Sequence, residues 1–168
     1  MSMKRRVVSD TGPLISLEKL AGGFRFIRKL YDVVLVPPAV LDELAQGRFE
    51  STEAYLAHYD AADLLEIKDV SPSSIEAEMD HLDEGERQAI QLALGEGLPL
   101  LIEEQAGRKV AQELGVHISG IAGQLRKGWK EGVIGADEAK RSLDELLRAG
   151  RINTKVHEIV VQAIEADT

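Results

Sequence analysis

Cysteine is absent from the 168-residue chain, which excludes both a disulfide framework and a thiolate-ligated zinc site and makes a reducing cytoplasm the expected setting. Long apolar runs are also missing. Lys4, Arg5 and Arg6 precede a hydrophobic stretch that stops at Asp10, too short for a secretory core or a membrane span. Basic residues are scarce relative to acidic ones, 20 against 29, for a net charge of -9 and a pI near 5.0. That balance argues against a broad basic nucleic-acid footprint, but it leaves nucleic-acid chemistry open if bound cations supply the positive charge. The four histidines, His58, His81, His117 and His157, share no spacing and none pairs at i and i+4, so a histidine metal site is not expected. Repeats, linkers and low-complexity tracts are absent.

What is present is the composition of a globular chain, 44% hydrophobic and 29% charged. Short β-branched or Leu-rich runs ("RRVVSD", "VVLVPP", "LLEIKDV", "LPLLIEE", "VHISG") alternate with stretches of helical spacing. The alternation predicts an α/β three-layer sandwich with a central, mainly parallel sheet flanked by helices. Helices are expected near 13–31, 38–46, 51–60, 73–80, 83–96, 105–114, 121–131, 136–149 and 154–166. Gly95 and Gly97, Gly115, Gly132 and Gly135, and Gly150 fall where left-handed helix caps are wanted. The expected organisation is one domain over residues 1–168, with 135–168 as a C-terminal helical appendage.

Ligands of open parallel sheets sit beyond the carboxyl ends of the strands. Asp10, in "VVSDTGPLISL", lies at such an end, either as an Asx turn into a helix whose first turn holds Pro13 or as a functional carboxylate. In "VPPAVLDEL" the helical spacing sets Glu43 beside the inward stripe of Val40 and Leu44, whereas Asp42 points away. In "LDEGERQAIQLAL", Asp83 and Glu86 fit a relaxed capping box. Glu86 also falls on the stripe of Ala89, Ile90 and Ala93, and a carboxylate aimed at a core needs a partner. Glu103 and Glu104 close the apolar run "LPLLIEE", where the dipole of the following helix is the alternative reason for acid. If the strands carrying Asp10 and Glu104 are neighbours, these acids converge on one crevice. Such a cluster repels itself unless hard divalent cations hold it, with Mg²⁺ or Mn²⁺ the natural occupants.

Taken in order, "VVSDTGPLISL", "VPPAVLDEL", "LDEGERQAIQLAL" and "LPLLIEEQAGRKVAQELGVHISGIAGQL" resemble a PIN-domain protein. The likeness is to the VapC-like toxin branch (DUF3368-like) of prokaryotic toxin-antitoxin systems, and it covers nearly the whole chain. The resemblance implies a metal-dependent endoribonuclease, a toxin of a type II pair, that hydrolyses RNA with metal-activated water. It implies Mg²⁺ or Mn²⁺ as cofactor, a homodimer, and RNA and a cognate antitoxin as partners. Carried over residue by residue, the catalytic acids are Asp10, Glu43, Glu86 and Glu104, with Glu103 beside them as a further metal ligand. Read from the residues themselves, Thr11, Arg108 and Ser119 are the candidate phosphate or substrate contacts, the alternatives being a solvated helix charge for Arg108 and turn hydrogen bonding for the two hydroxyls. The chain departs from the branch in ending its fourth strand Glu103-Glu104 where Asp-Asp is usual, and in placing Ile121 where Thr is expected. These departures motivate a second reading, a catalytically weakened nucleic-acid-binding or regulatory module. A haloacid-dehalogenase-like phosphatase would need an acid where Gly12 stands, and the strand ends lack a receiver domain's late lysine.

Trp129, in "RKGWKEG", is expected to pack rather than to touch RNA. The positive surface that RNA requires is expected from the scattered "RKL", "GRK", "RKGWK" and "RAGR" clusters, gathered around the pocket in a dimer.

Overall fold

A computed structural model describes residues 3–71 and 79–167. Five strands, β1 (Arg6–Ser9), β2 (Val33–Val36), β3 (Leu65–Ile67), β4 (Leu100–Leu101) and β5 (Ile118–Ser119), form one parallel sheet in the order β3-β2-β1-β4-β5. Period-two alternation sends successive side chains to opposite layers. Val7, Val34, Val36 and Leu101 join one apolar cluster, and Val8, Leu35, Leu100 and Ile102 join the other. Strands buried on both faces read as continuous apolar runs, which is why "VVLV" carries no polar residue.

The first layer is built by α1 (Thr11–Glu18), α2 (Arg25–Arg28), α3 (Pro38–Ala45), α4 (Thr52–His58), α7 (Ile121–Lys130), α8 (Ala136–Arg148) and α9 (Thr154–Ala166). The second is built by α5 (Glu84–Glu96) and α6 (Gln105–Glu113). The three-layer α/β architecture read from the sequence is therefore the one observed. The stretch expected as one helix over 13–31 is two, because the chain breaks after Glu18 and Gly23 takes a left-handed φ of 58°. The helix expected at 73–80 falls almost wholly outside the described residues.

Four glycines end helices in the same way. At Gly97, Gly115, Gly132 and Gly150 the backbone is left-handed, and the following amide reaches back five residues, as Arg151 N–H does to the Leu146 carbonyl at 2.9 Å. This is the Schellman arrangement, which satisfies the last carbonyls and turns the chain sharply. Gly95 and Gly135 do other work: Gly95 lies inside α5, and Gly135 is the extended N-cap of α8. The last two helices contribute Ala139, Leu143, Leu146 and Ile164 to the cluster that also holds Leu14, Leu17 and Leu125. No helix among the described residues is long and apolar enough to cross a membrane.

β1 has β2 on one side and β4 on the other, so the strand order reverses at β1. Ligands of such sheets bind outside the carboxyl ends at the switch point, which is where the residues after β1 and β4 stand.

Candidate functional site: an acidic crevice

Asp10 follows β1 directly, and its amide is fixed by the Leu101 carbonyl of β4 at 2.9 Å. Its residue is 4% exposed. It is the N-cap of α1, yet its side chain makes no capping hydrogen bond, so the simplest structural use of an aspartate here is not exercised. Burial pushes the Asp10 carboxyl from its ordinary 3.8 up to about 7; the charges of Asp83, Glu43 and Glu104 push the same way, and the Thr11 amide opposes them.

Glu86 is the second buried acid. The sequence offered two uses for it, cap or inward charge, and the structure gives one to each oxygen. The capping box forms: Asp83 Oδ1 accepts from the Glu86 amide at 2.8 Å, and Glu86 Oε1 faces the Asp83 amide at 3.5 Å. Glu86 Oε2 is buried with no hydrogen-bond partner among the described residues. A buried oxygen without a donor is costly, and it marks a place where a cation or ligand is wanted. Burial pushes the Glu86 carboxyl up to about 7, reinforced by the hydrogen bond and charge of Asp83 and by the charge of Asp10.

Three exposed acids surround this pair. Thr11 Oγ1 donates to Glu43 Oε2 at 2.9 Å and so joins the start of α1 to α3. Glu43 and Asp83 meet over Gly85, where an added Cβ would lie 3.1 Å from Glu43 Oε2 and 3.5 Å from Asp83 Oδ1. Glu104 opens α6 as its N-cap without a side-chain capping bond. As the side chains stand, no three acids or histidines among the described residues are gathered closely enough to hold one ion. The donor set is nonetheless all carboxylate, with two members fixed by burial and three on the rim. That is the chemistry a hard divalent cation selects.

Glu103 lies elsewhere. Its Oε1 accepts from Ser16 Oγ at 2.8 Å and faces Arg151 Nη2 at 3.4 Å, and its Oε2 accepts from the Ile121 amide at 3.0 Å. Both oxygens are taken by other partners, and the extra methylene over Asp supplies that reach. Arg108, Ser119 and Gly120 line a cleft of about 500 Å³ on this side, with Glu103 and Arg151 in its wall. Arg108 Nη1 donates to the Ile102 carbonyl at 2.7 Å, and Ser119 Oγ donates to the Gly120 carbonyl at 3.0 Å.

The family model for DUF3368, a PIN domain, matches residues 6–166. The chain belongs to this PIN-domain family. PIN domains are generally nucleases, so the family implies nucleic acid as the class of substrate. Among solved structures, a domain of a functionally unknown protein from Methanocaldococcus jannaschii DSM 2661 is similar at 17% identity and a TM-score of 0.44. That match covers 69% of this chain and 90% of the other. No curated protein matches.

Within this PIN domain, Asp83 is the acid that sequence reasoning left outside the site. Its signal was present in "LDEGE", but the residue was accounted for as a cap, and the cap is what brings its charge beside Asp10 and Glu86. Several members of the basic clusters are engaged within the chain. Arg28 is held by Asp63 at 2.9 Å from both ends of its fork, Lys29 lies 3.8 Å from Glu138, and Lys127 stacks on Tyr31 at 5.2 Å. Arg151, of "RAGR", turns inward. Trp129 is half-buried and packs on the core.

Gly107 shows how tightly Glu86 is seated. A Cβ there would stand 2.6 Å from both Glu86 Oε2 and Ile102 Cδ1. Gly107→Ala is expected to cost about 1–3 kcal/mol of stability by overpacking. Urea unfolding of the two proteins checks this, and equal midpoints would show that α6 and Glu86 move apart without resistance.

Proposed function

We propose that this PIN domain is a Mg²⁺- or Mn²⁺-dependent endoribonuclease, in the setting of a type II toxin-antitoxin pair. The observation that carries the reading is the pairing of two buried acids, Asp10 and Glu86, beside the strand-order reversal, with Glu86 Oε2 buried and unpartnered among the described residues. Asp10, Glu43, Glu86 and Glu104 are the residues that would hold the metal, and Asp83 joins them by its place at the rim. A divalent ion bound there supplies an acidified water and stabilises the leaving oxygen of a phosphodiester.

The chain's own residues prepare that site. Thr11 donates to Glu43, the Asp83 amide faces Glu86 Oε1 while Oε2 stays buried and unpartnered among the described residues, and the Leu101 carbonyl anchors the Asp10 backbone. The Glu43 and Asp83 side of the crevice carries Asp42 and Glu84 as well, and is unsuited to a phosphate backbone. RNA therefore enters from the Arg108 and Ser119 side. Glu103 is not needed as a ligand on this reading. An antitoxin segment that places a guanidinium on the rim carboxylates, and a second copy that adds basic surface, complete it as partners. Cytoplasmic action suits both.

The deciding test is cleavage of structured RNA by the purified protein with Mg²⁺, Mn²⁺ or EDTA. Metal-dependent, EDTA-sensitive cleavage is the expected result. Mn²⁺ binding without cleavage would favour the second reading, a binding or regulatory module, for which the engagement of both Glu103 oxygens elsewhere is the motivating observation. Arg108→Ala is expected to raise KM about three- to tenfold with little change in kcat, since it removes a phosphate contact made equally in the bound and activated states. A change in kcat alone would place Arg108 in the chemistry instead.

A further inference from the structure

Arg151 stands in the turn between α8 and α9, where the Gly150 cap reverses the chain. Its guanidinium reaches the opposite end of the sequence. Nε donates to Ser16 Oγ at 3.0 Å, and Nη2 donates to the Gly12 carbonyl at 3.0 Å and faces Glu103 Oε1 at 3.4 Å. Ser16 is fully buried, and the Arg151 and Glu103 side chains are 27% and 18% exposed. The pair is thus unlike the exposed ion pairs that contribute little. It is embedded in a network of charge-assisted bonds that Glu103 continues to the Ile121 amide at the start of α7.

The network links two particular places. Gly12 is two residues after Asp10, and Glu103 immediately precedes Glu104. One guanidinium therefore bridges the carboxyl ends of β1 and β4, whose acids must keep a fixed separation to share an ion. Site carboxylates are reliable only when supporting groups lock the backbone beneath them. Lysine can replace the fork only in part, because one ammonium has no planar arrangement with which to meet Gly12, Ser16 and Glu103 together.

We propose that Arg151 is a positioning residue for the acidic site, through which the C-terminal helical pair sets the spacing between the Asp10 and Glu104 strand ends. The proposal rests on the reading of those carboxylates as a metal site.

Two readouts on Arg151→Ala and Arg151→Lys test it. Amide hydrogen exchange with no metal present is expected to quicken at least tenfold in peptides covering residues 10–14 and 102–106, with β2 and β3 unchanged. Mn²⁺ titration well below the melting temperature is expected to give an affinity about tenfold weaker for Arg151→Ala, partly recovered in Arg151→Lys. Exchange that is unchanged, or that quickens evenly across the sheet, would overturn the proposal. So would local loosening with unaltered Mn²⁺ affinity. If the unsubstituted protein binds no Mn²⁺, the metal reading fails by itself, and the exchange pattern still decides whether Arg151 braces the two strand ends. Should Arg151→Ala not fold, Arg151→Lys supports the same comparison with smaller expected changes.

Discussion

Asp10→Asn is expected to stabilise the metal-free protein at pH 7 by about 1–3 kcal/mol while reducing RNA cleavage roughly a hundredfold or more. The two effects share one cause. Burial and the charges of Asp83, Glu43 and Glu104 push the Asp10 carboxyl up to about 7, so near neutrality the folded state either ionises Asp10 against its surroundings or takes up a proton. Asparagine is nearly isosteric and uncharged, and it relieves that conflict. A carboxyl moved from 3.8 to about 7 corresponds to about 4 kcal/mol, and imperfect replacement of the carboxyl by an amide brings the gain below that. On the proposed metal reading the same substitution removes a negative ligand, and losses of several kcal/mol in charge stabilisation are worth a hundredfold or more in rate. Melting in EDTA, beside RNA cleavage in Mn²⁺, checks both. A less stable Asp10→Asn protein would show that the carboxylate serves the α1 terminus rather than a ligand.

The strand ends were the most legible part of the site. A buried parallel strand that stops at an acid, as "VVSD" and "LLIEE" do, announces both the fold and its crevice, because helices must follow on either face and ligands collect at the carboxyl ends. Helical spacing marked Glu86 as inward, and its neighbour Asp83 as a cap. The sequence could not say that a carboxylate has two oxygens with separate uses, so the cap seemed to compete with the site instead of building it. Glu103 was legible as an acid at the right position, but its direction was not. The turn into α6 points it toward Ser16, Arg151 and the Ile121 amide, contacts that span up to 87 residues and are invisible to local pattern. For the same reason Arg151 read as one charge in a basic cluster. Long-range side-chain geometry follows from packing of the layers, and packing is settled by the whole chain.

The second large effect is a pH dependence that added metal offsets. Asp10 and Glu86 both sit near 7 in the folded protein and near 4 when unfolded. Between those values the folded state holds more protons than the unfolded one. Stability of the metal-free protein should therefore be fully present below about pH 4 as far as these two groups go, and should fall as pH rises toward 7, levelling off above. The slope approaches about 1.4 kcal/mol per pH unit for each group that titrates alone, and is smaller for two that share a field. Asp32, Asp63 and Glu96, held below the usual carboxylate range by Arg5, Arg28 and Lys68, act in the opposite direction, but only at the acid end of the range. The net expectation in EDTA is greatest stability near pH 5 and a decline toward pH 8. Mn²⁺ binds the deprotonated carboxylates, so raising pH removes its competitor, and the rise in melting temperature at fixed Mn²⁺ should grow from pH 5 to pH 8. Melting curves across that range, with EDTA and with Mn²⁺, should diverge as pH increases. Parallel curves would mean that the ion does not displace protons from Asp10 and Glu86, and would remove these two acids from the metal site.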